Sequence, residues 1–110
     1  MMPVTLVLVR DLMFSSKISA TAKAGGIGIE MLRDPATLTD RTGDRLIVDL
    51  NQPGTLDAAT IWKSAAQGRQ VIGFVSHVDG ETIAKARAAG IDRVMPRSQF
   101  VGSLETLLRD

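Results

Sequence analysis

The chain predicts an α/β domain built on one parallel sheet with helices on both faces, and three observations carry that expectation. Short apolar, β-branched runs alternate strictly with helix-patterned segments, five of each. The runs, such as Leu6-Val7-Leu8-Val9 and Leu46-Ile47-Val48, lack the polar alternation of a half-exposed strand, so both faces of each are covered. Each run also stops at capping or turn residues, as at Arg10-Asp11 and at Asn51, Pro53 and Gly54. Strands joined through helices are crossover-connected, and crossovers leave them parallel.

Val4–Val9 is the first strand. Phe14, Ile18 and Ala22 recur every four residues behind it and form one apolar helix stripe, closed by Gly25-Gly26. Ile27–Leu32 is a short edge strand. Asp34-Pro35 reads as a cap and a first helical residue, with room for only a turn or two before Thr42-Gly43-Asp44. Leu46–Leu50 is the third strand. A third helix carries Leu56, Ala59, Ile61, Trp62, Ala65 and Ala66 and closes near Gly68. Val71–Val75 is the fourth strand, ending in Ser76-His77. Asp79 caps a fourth helix that stops at Gly90, and Asp92–Met95 is the fifth strand. Ser98 caps a single last helix with Val101, Leu104 and Leu108 on one face.

At 110 residues, with 45% hydrophobic and 23% charged side chains, the chain reads as one globular domain over 1–110. Its formal charge of +1 gives no footprint for nucleic acid. The absence of cysteine excludes disulfides and thiolate sites. Val4–Val9 is about a third of the roughly 20 apolar residues a membrane span needs. It carries neither a basic leader nor a small-residue cleavage site, so a cytoplasmic, non-membrane protein is expected.

In such a sheet the residues just after the strands share one rim, where open α/β folds place ligands. Arg10, Asp11, Asp49, Asn51, Ser76, His77, Arg97 and Ser98 all fall there. Neighbouring carboxylates attract an oxygen-preferring cation such as Mg²⁺. A hydroxyl and a guanidinium across the same gap suit phosphoryl oxygens. Each residue also has a plainer role. Asp49 can make an Asx turn or a salt bridge, Asp11 can stabilise a helix N-terminus, and Ser76 can cap a strand end. A lone histidine, His77, makes no metal or acid–base site, and Trp62 is packing. Gly25, Gly26 and Gly28 follow a helix and precede a strand, the reverse of a dinucleotide fingerprint.

Val48-Asp49-Leu50-Asn51-Gln52-Pro53-Gly54 resembles the Asp-x-Asn-x-Pro phosphoacceptor segment of receiver domains in bacterial two-component response regulators. Ser76 matches the Ser/Thr that ends their fourth strand, and Ala88-Ala89-Gly90 with Asp92–Met95 is similar to their Ala-Gly-Ala region. The resemblance covers nearly the whole chain. It implies a flavodoxin-like, three-layer α/β/α fold with strand order 2-1-3-4-5. It also implies a stand-alone signalling domain, not an enzyme, that accepts a phosphoryl group on Asp49 from a histidine kinase. Asp11, Asp49 and the Asn51 carbonyl would hold Mg²⁺, and Ser76 and Arg97 would hold the phosphoryl oxygens.

The departures bear on that chemistry. Receivers carry two acids after the first strand, whereas here Arg10 replaces the first. Arg97 stands where they have lysine, with Pro96 before it instead of after, and Val94 replaces an aromatic. Like unit charges about 4–6 Å apart repel by roughly 2–4 kcal/mol at an effective dielectric near 20, so a guanidinium beside a metal weakens its binding. The alternative is therefore a non-phosphorylatable pseudo-receiver. In it Arg10 and Arg97 neutralise Asp11 and Asp49, and the last helix contacts a partner or a second copy. A phosphorylated-metabolite binder at the same rim is a third reading. No Ser/His/Asp order or nucleophile elbow supports hydrolysis.

Overall fold

The computed structural model describes residues 4–76 and 80–109. Among them lie strands β1 (Thr5–Leu8), β2 (Ile29–Leu32), β3 (Arg45–Asp49), β4 (Gln70–Val75) and β5 (Arg93–Pro96). The helices are α1 (Leu12–Ala24), α2 (Thr55–Ser64), α3 (Gly80–Ala88), α4 (Arg97–Gly102) and α5 (Leu104–Arg109), with a 3-10 helix over Pro35–Asp40. The sheet is parallel throughout and runs β2-β1-β3-β4-β5. This is the flavodoxin-like order. Among the described residues no helix is long and apolar enough to cross a membrane.

Unbroken apolar runs form the central strands because both sheet faces are covered. Leu6, Leu46, Val48 and Val71 pack with Leu38, Ala59 and Trp62 on one side. Val7, Ile47, Ile72 and Phe74 pack with Phe14, Ile18, Phe100 and Leu108 on the other. Each such side chain contributes about 1.5–3 kcal/mol when fully buried. Alternate residues of one strand thus serve opposite layers, which fixes the register of every pairing.

Helix ends follow the local chemistry with two corrections. Asp11 caps α1, accepting the N–H groups of Met13 and Phe14 at 2.9 and 3.1 Å. Asp34 caps the 3-10 helix through Ala36 N–H. That segment is six residues of 3-10 helix, and its one buried residue is Leu38. The third helix stops at Ser64, four residues before Gly68, which turns the chain with φ +82°. The last helix is two helices. It starts at Arg97, with Pro96 in the cap position, and breaks at Ser103 after the weak helix former Gly102. Ser98 is therefore inside α4 and caps nothing. The expected cap Asp79 and the rim residue His77 lie outside the described residues.

One charge inside the fold escaped the pattern reading. Arg45 opens β3 and is only 3% exposed. Its Nε donates to Thr5 Oγ1 at 3.3 Å, and its Nη1 and Nη2 donate to the Leu107 and Leu108 carbonyls at 2.6 and 3.0 Å. Those carbonyls end α5, where a helix has no partners of its own and its dipole favours a cation. Arg45 therefore ties the last helix to the middle of the sheet.

Three outcomes are expected in urea unfolding. Arg45→Met, which keeps the length of the stem but strands these acceptors, lowers stability by about 3 kcal/mol. Gly73→Ala puts a Cβ 2.5 Å from Leu50 Cδ1 and 2.8 Å from its Cγ, and costs about 1–3 kcal/mol through overpacking. Gly28→Ala, which meets nothing within 4 Å, stays within about 0.5 kcal/mol of the parent.

Candidate functional site

The C-terminal ends of β1, β3, β4 and β5 bring the rim residues into one neighbourhood. From β1 come Arg10 and Asp11, and from β3 come Asp49 and Asn51. Ser76 follows β4, and Arg97 follows β5. Asp11 and Arg97, 86 positions apart, form an ion pair at 3.4 Å between Oδ2 and Nη2. Below the guanidinium lies Phe14, with Arg97 Cζ 4.1 Å from its ring centroid. Phe14 meets Phe74 edge-on at 4.8 Å, and Phe74 stacks on Phe100 at 4.8 Å. Arg97 is thus bounded by a carboxylate and an aromatic face, both favourable to a planar cation.

Asp49 is half-buried, and its Oδ1 accepts Asn51 N–H at 3.0 Å, closing an Asx turn. The next turn is held by Thr55, whose hydroxyl donates to the Asp49 and Gln52 carbonyls at 2.7 and 2.8 Å. Asn51 Oδ1 accepts the backbone N–H of Ser76, which stitches the β3–α2 loop to the end of β4. Gln52 is buried, donating through Nε2 to the Arg33 carbonyl, while its Oε1 has no partner among the described residues.

The two rim carboxylates titrate in opposite directions. The N–H of Phe14, then that of Met13 and the charge of Arg97, hold Asp11 below the ordinary carboxylate value. Burial raises Asp49, with the nearby Asp11 charge adding to it. The Asn51 N–H and the Arg97 charge oppose this rise without cancelling it.

This donor set does not fit Mg²⁺. The ion asks for near-octahedral oxygens, yet Asp11 gives one oxygen to two backbone N–H groups and turns the other to a guanidinium. Asp49 Oδ1 is already an acceptor within its own turn. Among the described residues no three His, Cys, Asp or Glu side chains cluster as a metal site. Arg10, the residue expected to obstruct the metal or pair with an acid, is exposed and makes no ion pair among the described residues. Arg97 alone takes that part. The ring beneath Arg97 and the side-chain role of Asn51 went unread in the sequence. The Asp11 to Phe14 spacing, three residues across a helix start, was the available signal for the first.

In fold the chain is similar to solved response-regulator receiver domains. A beryllofluoride-activated DrrB receiver domain superposes with a TM-score of 0.83 at 17% identity, covering 99% of this chain and 96% of that one. The signal receiver domain of NarL from Mycobacterium tuberculosis gives 0.81 at 14% identity, covering 99% and 94%. A Burkholderia pseudomallei response regulator protein with a phosphorylated aspartic acid, calcium ion and citrate gives 0.78 at 14%, covering 96% of this chain and 65% of that one. No family model matches the sequence, and no curated protein matches it.

A pH dependence follows from Asp49. Its carboxyl pKa is higher in the folded than in the unfolded chain, so stability is fully present below the unfolded value and falls as pH rises through the folded one. Asp49→Asn removes that charge and keeps an oxygen for Asn51 N–H. The variant is expected to be more stable than the parent at neutral pH and to lose the advantage near about pH 3. Urea midpoints at the two pH values check this.

Proposed function

We propose that this chain is a response-regulator receiver-like signalling domain that works through contact with a partner protein, not through catalysis. The observation that carries this reading is the convergence of Asp11, Asp49 and Arg97 at one sheet rim in a fold shared over nearly the whole chain with receiver domains. The partner class is a histidine kinase or another signalling protein, with a second copy of the chain as the other option, in the cytoplasm.

Of the two switch chemistries, the Asp11–Arg97 pair favours the phosphorylation-independent one. Phosphoryl transfer to a carboxylate gathers negative charge, and a cation must neutralise it. Here Arg97 is already engaged by an acid and a ring face. The domain then acts as a pseudo-receiver whose rim has a fixed charge pattern. Phosphorylation on Asp49, with Ser76 and Arg97 contacting the phosphoryl oxygens, is the second reading. It is favoured by the half-buried carboxylate at the end of β3.

Incubation with acetyl phosphate, or with beryllofluoride, in the presence of Mg²⁺ separates the two. The expected result is an unchanged intact mass and an unchanged melting temperature. A gain of one phosphoryl group that disappears in Asp49→Asn would move the assignment to a phosphorylatable receiver.

A further inference from the structure

We infer that Arg97 is the resident cation of the acidic rim, and that its seat on Phe14, not the neighbouring Arg10, is what keeps a divalent ion out. The inference deepens the phosphorylation-independent reading by naming the group that neutralises the site.

Three features of the seat support it. The guanidinium pairs with Asp11 at 3.4 Å, across 86 positions of the chain. The ring of Phe14, 4.1 Å below, attracts a weakly hydrated planar cation. A small ion that keeps its water shell gains little from the same face. Finally, the seat is built on packed elements. Asp11, though exposed, is the α1 cap, and Phe14 is held by Phe74 and Phe100 in the buried layer between the sheet and α1, α4 and α5. Arg97 opens α4, the helix that carries Phe100, so the cation is delivered to the acids by the packing itself. Arg10 lies one residue before Asp11 but is exposed, with no such seat among the described residues.

A guanidinium paired with Asp11 and a divalent ion on the same carboxylate compete for it. MnCl₂ titrated into the full chain, with free Mn²⁺ followed by electron paramagnetic resonance, therefore distinguishes the two arginines. The parent and Arg10→Gln are expected to show no saturable binding at millimolar Mn²⁺. Arg97→Gln is expected to gain affinity by about thirty-fold or more, and adding Asp11→Asn to it abolishes the gain. Should Arg97→Gln fold poorly, Phe14→Leu tests the same point, because a guanidinium without its ring yields more readily to the ion. Saturable binding by the parent, or a gain in Arg10→Gln with none in a folded Arg97→Gln or Phe14→Leu, overturns the assignment. Beryllofluoride uptake by the parent would count against the proposed function alone, since it does not report which arginine governs the ion.

Discussion

Parallel pairing is the constraint from which the rest of this structure follows. Five strands that run the same way must all end at one rim, and the residues after them meet there however far apart they lie in the chain. That is how Asp11 and Arg97 come into contact across 86 positions. The same geometry requires crossovers on both faces, so the central strands have no solvent face and are apolar over most of their length. The opposite end of the sheet carries the fold's mechanical tie. There Arg45, from β3, holds the last carbonyls of α5.

The rim and the core are not independent layers. Phe14 belongs to the buried aromatic group with Phe74 and Phe100, and its outer face is the floor under Arg97. Its backbone N–H is also one of the two that Asp11 caps. Moving the charge at the rim therefore means moving either a helix cap or a packed ring. Both resist displacement, since interiors packed at crystal-like density accommodate shifts poorly.

Asp49 and Asp11 show how two identical side chains diverge by environment. Asp11 is exposed and surrounded by donors, which favours its charge. Asp49 is half-buried, with one donor from its own turn, and bears the cost of desolvation. In a conventional acidic pocket a divalent ion would level that difference. Here the guanidinium does so incompletely, because it bonds one acid directly and acts on the other only through space.

Much of this was legible in the chain. The apolar runs, the Gly25-Gly26 stop, the Asp34 cap and the Asp49 turn are local signals, because each depends on residues within a few positions of one another. Local propensity and periodicity therefore identified the strands and their parallel sense, and put Asp11, Asp49 and Arg97 at strand ends. The split at Ser103, the 3-10 geometry over Pro35–Asp40 and the burial of Arg45 were not legible. Nor was the choice of Arg97 over Arg10 as the acid's partner. The burial of Arg45 and the pairing of Arg97 depend on contacts 40 to 86 residues apart in sequence. By itself the chain determined which residues reach the rim, since strand ends are encoded next to the strands. Which arginine turns inward was decided only by the tertiary structure, because a long cationic side chain goes where a carboxylate and a ring face are brought together by packing.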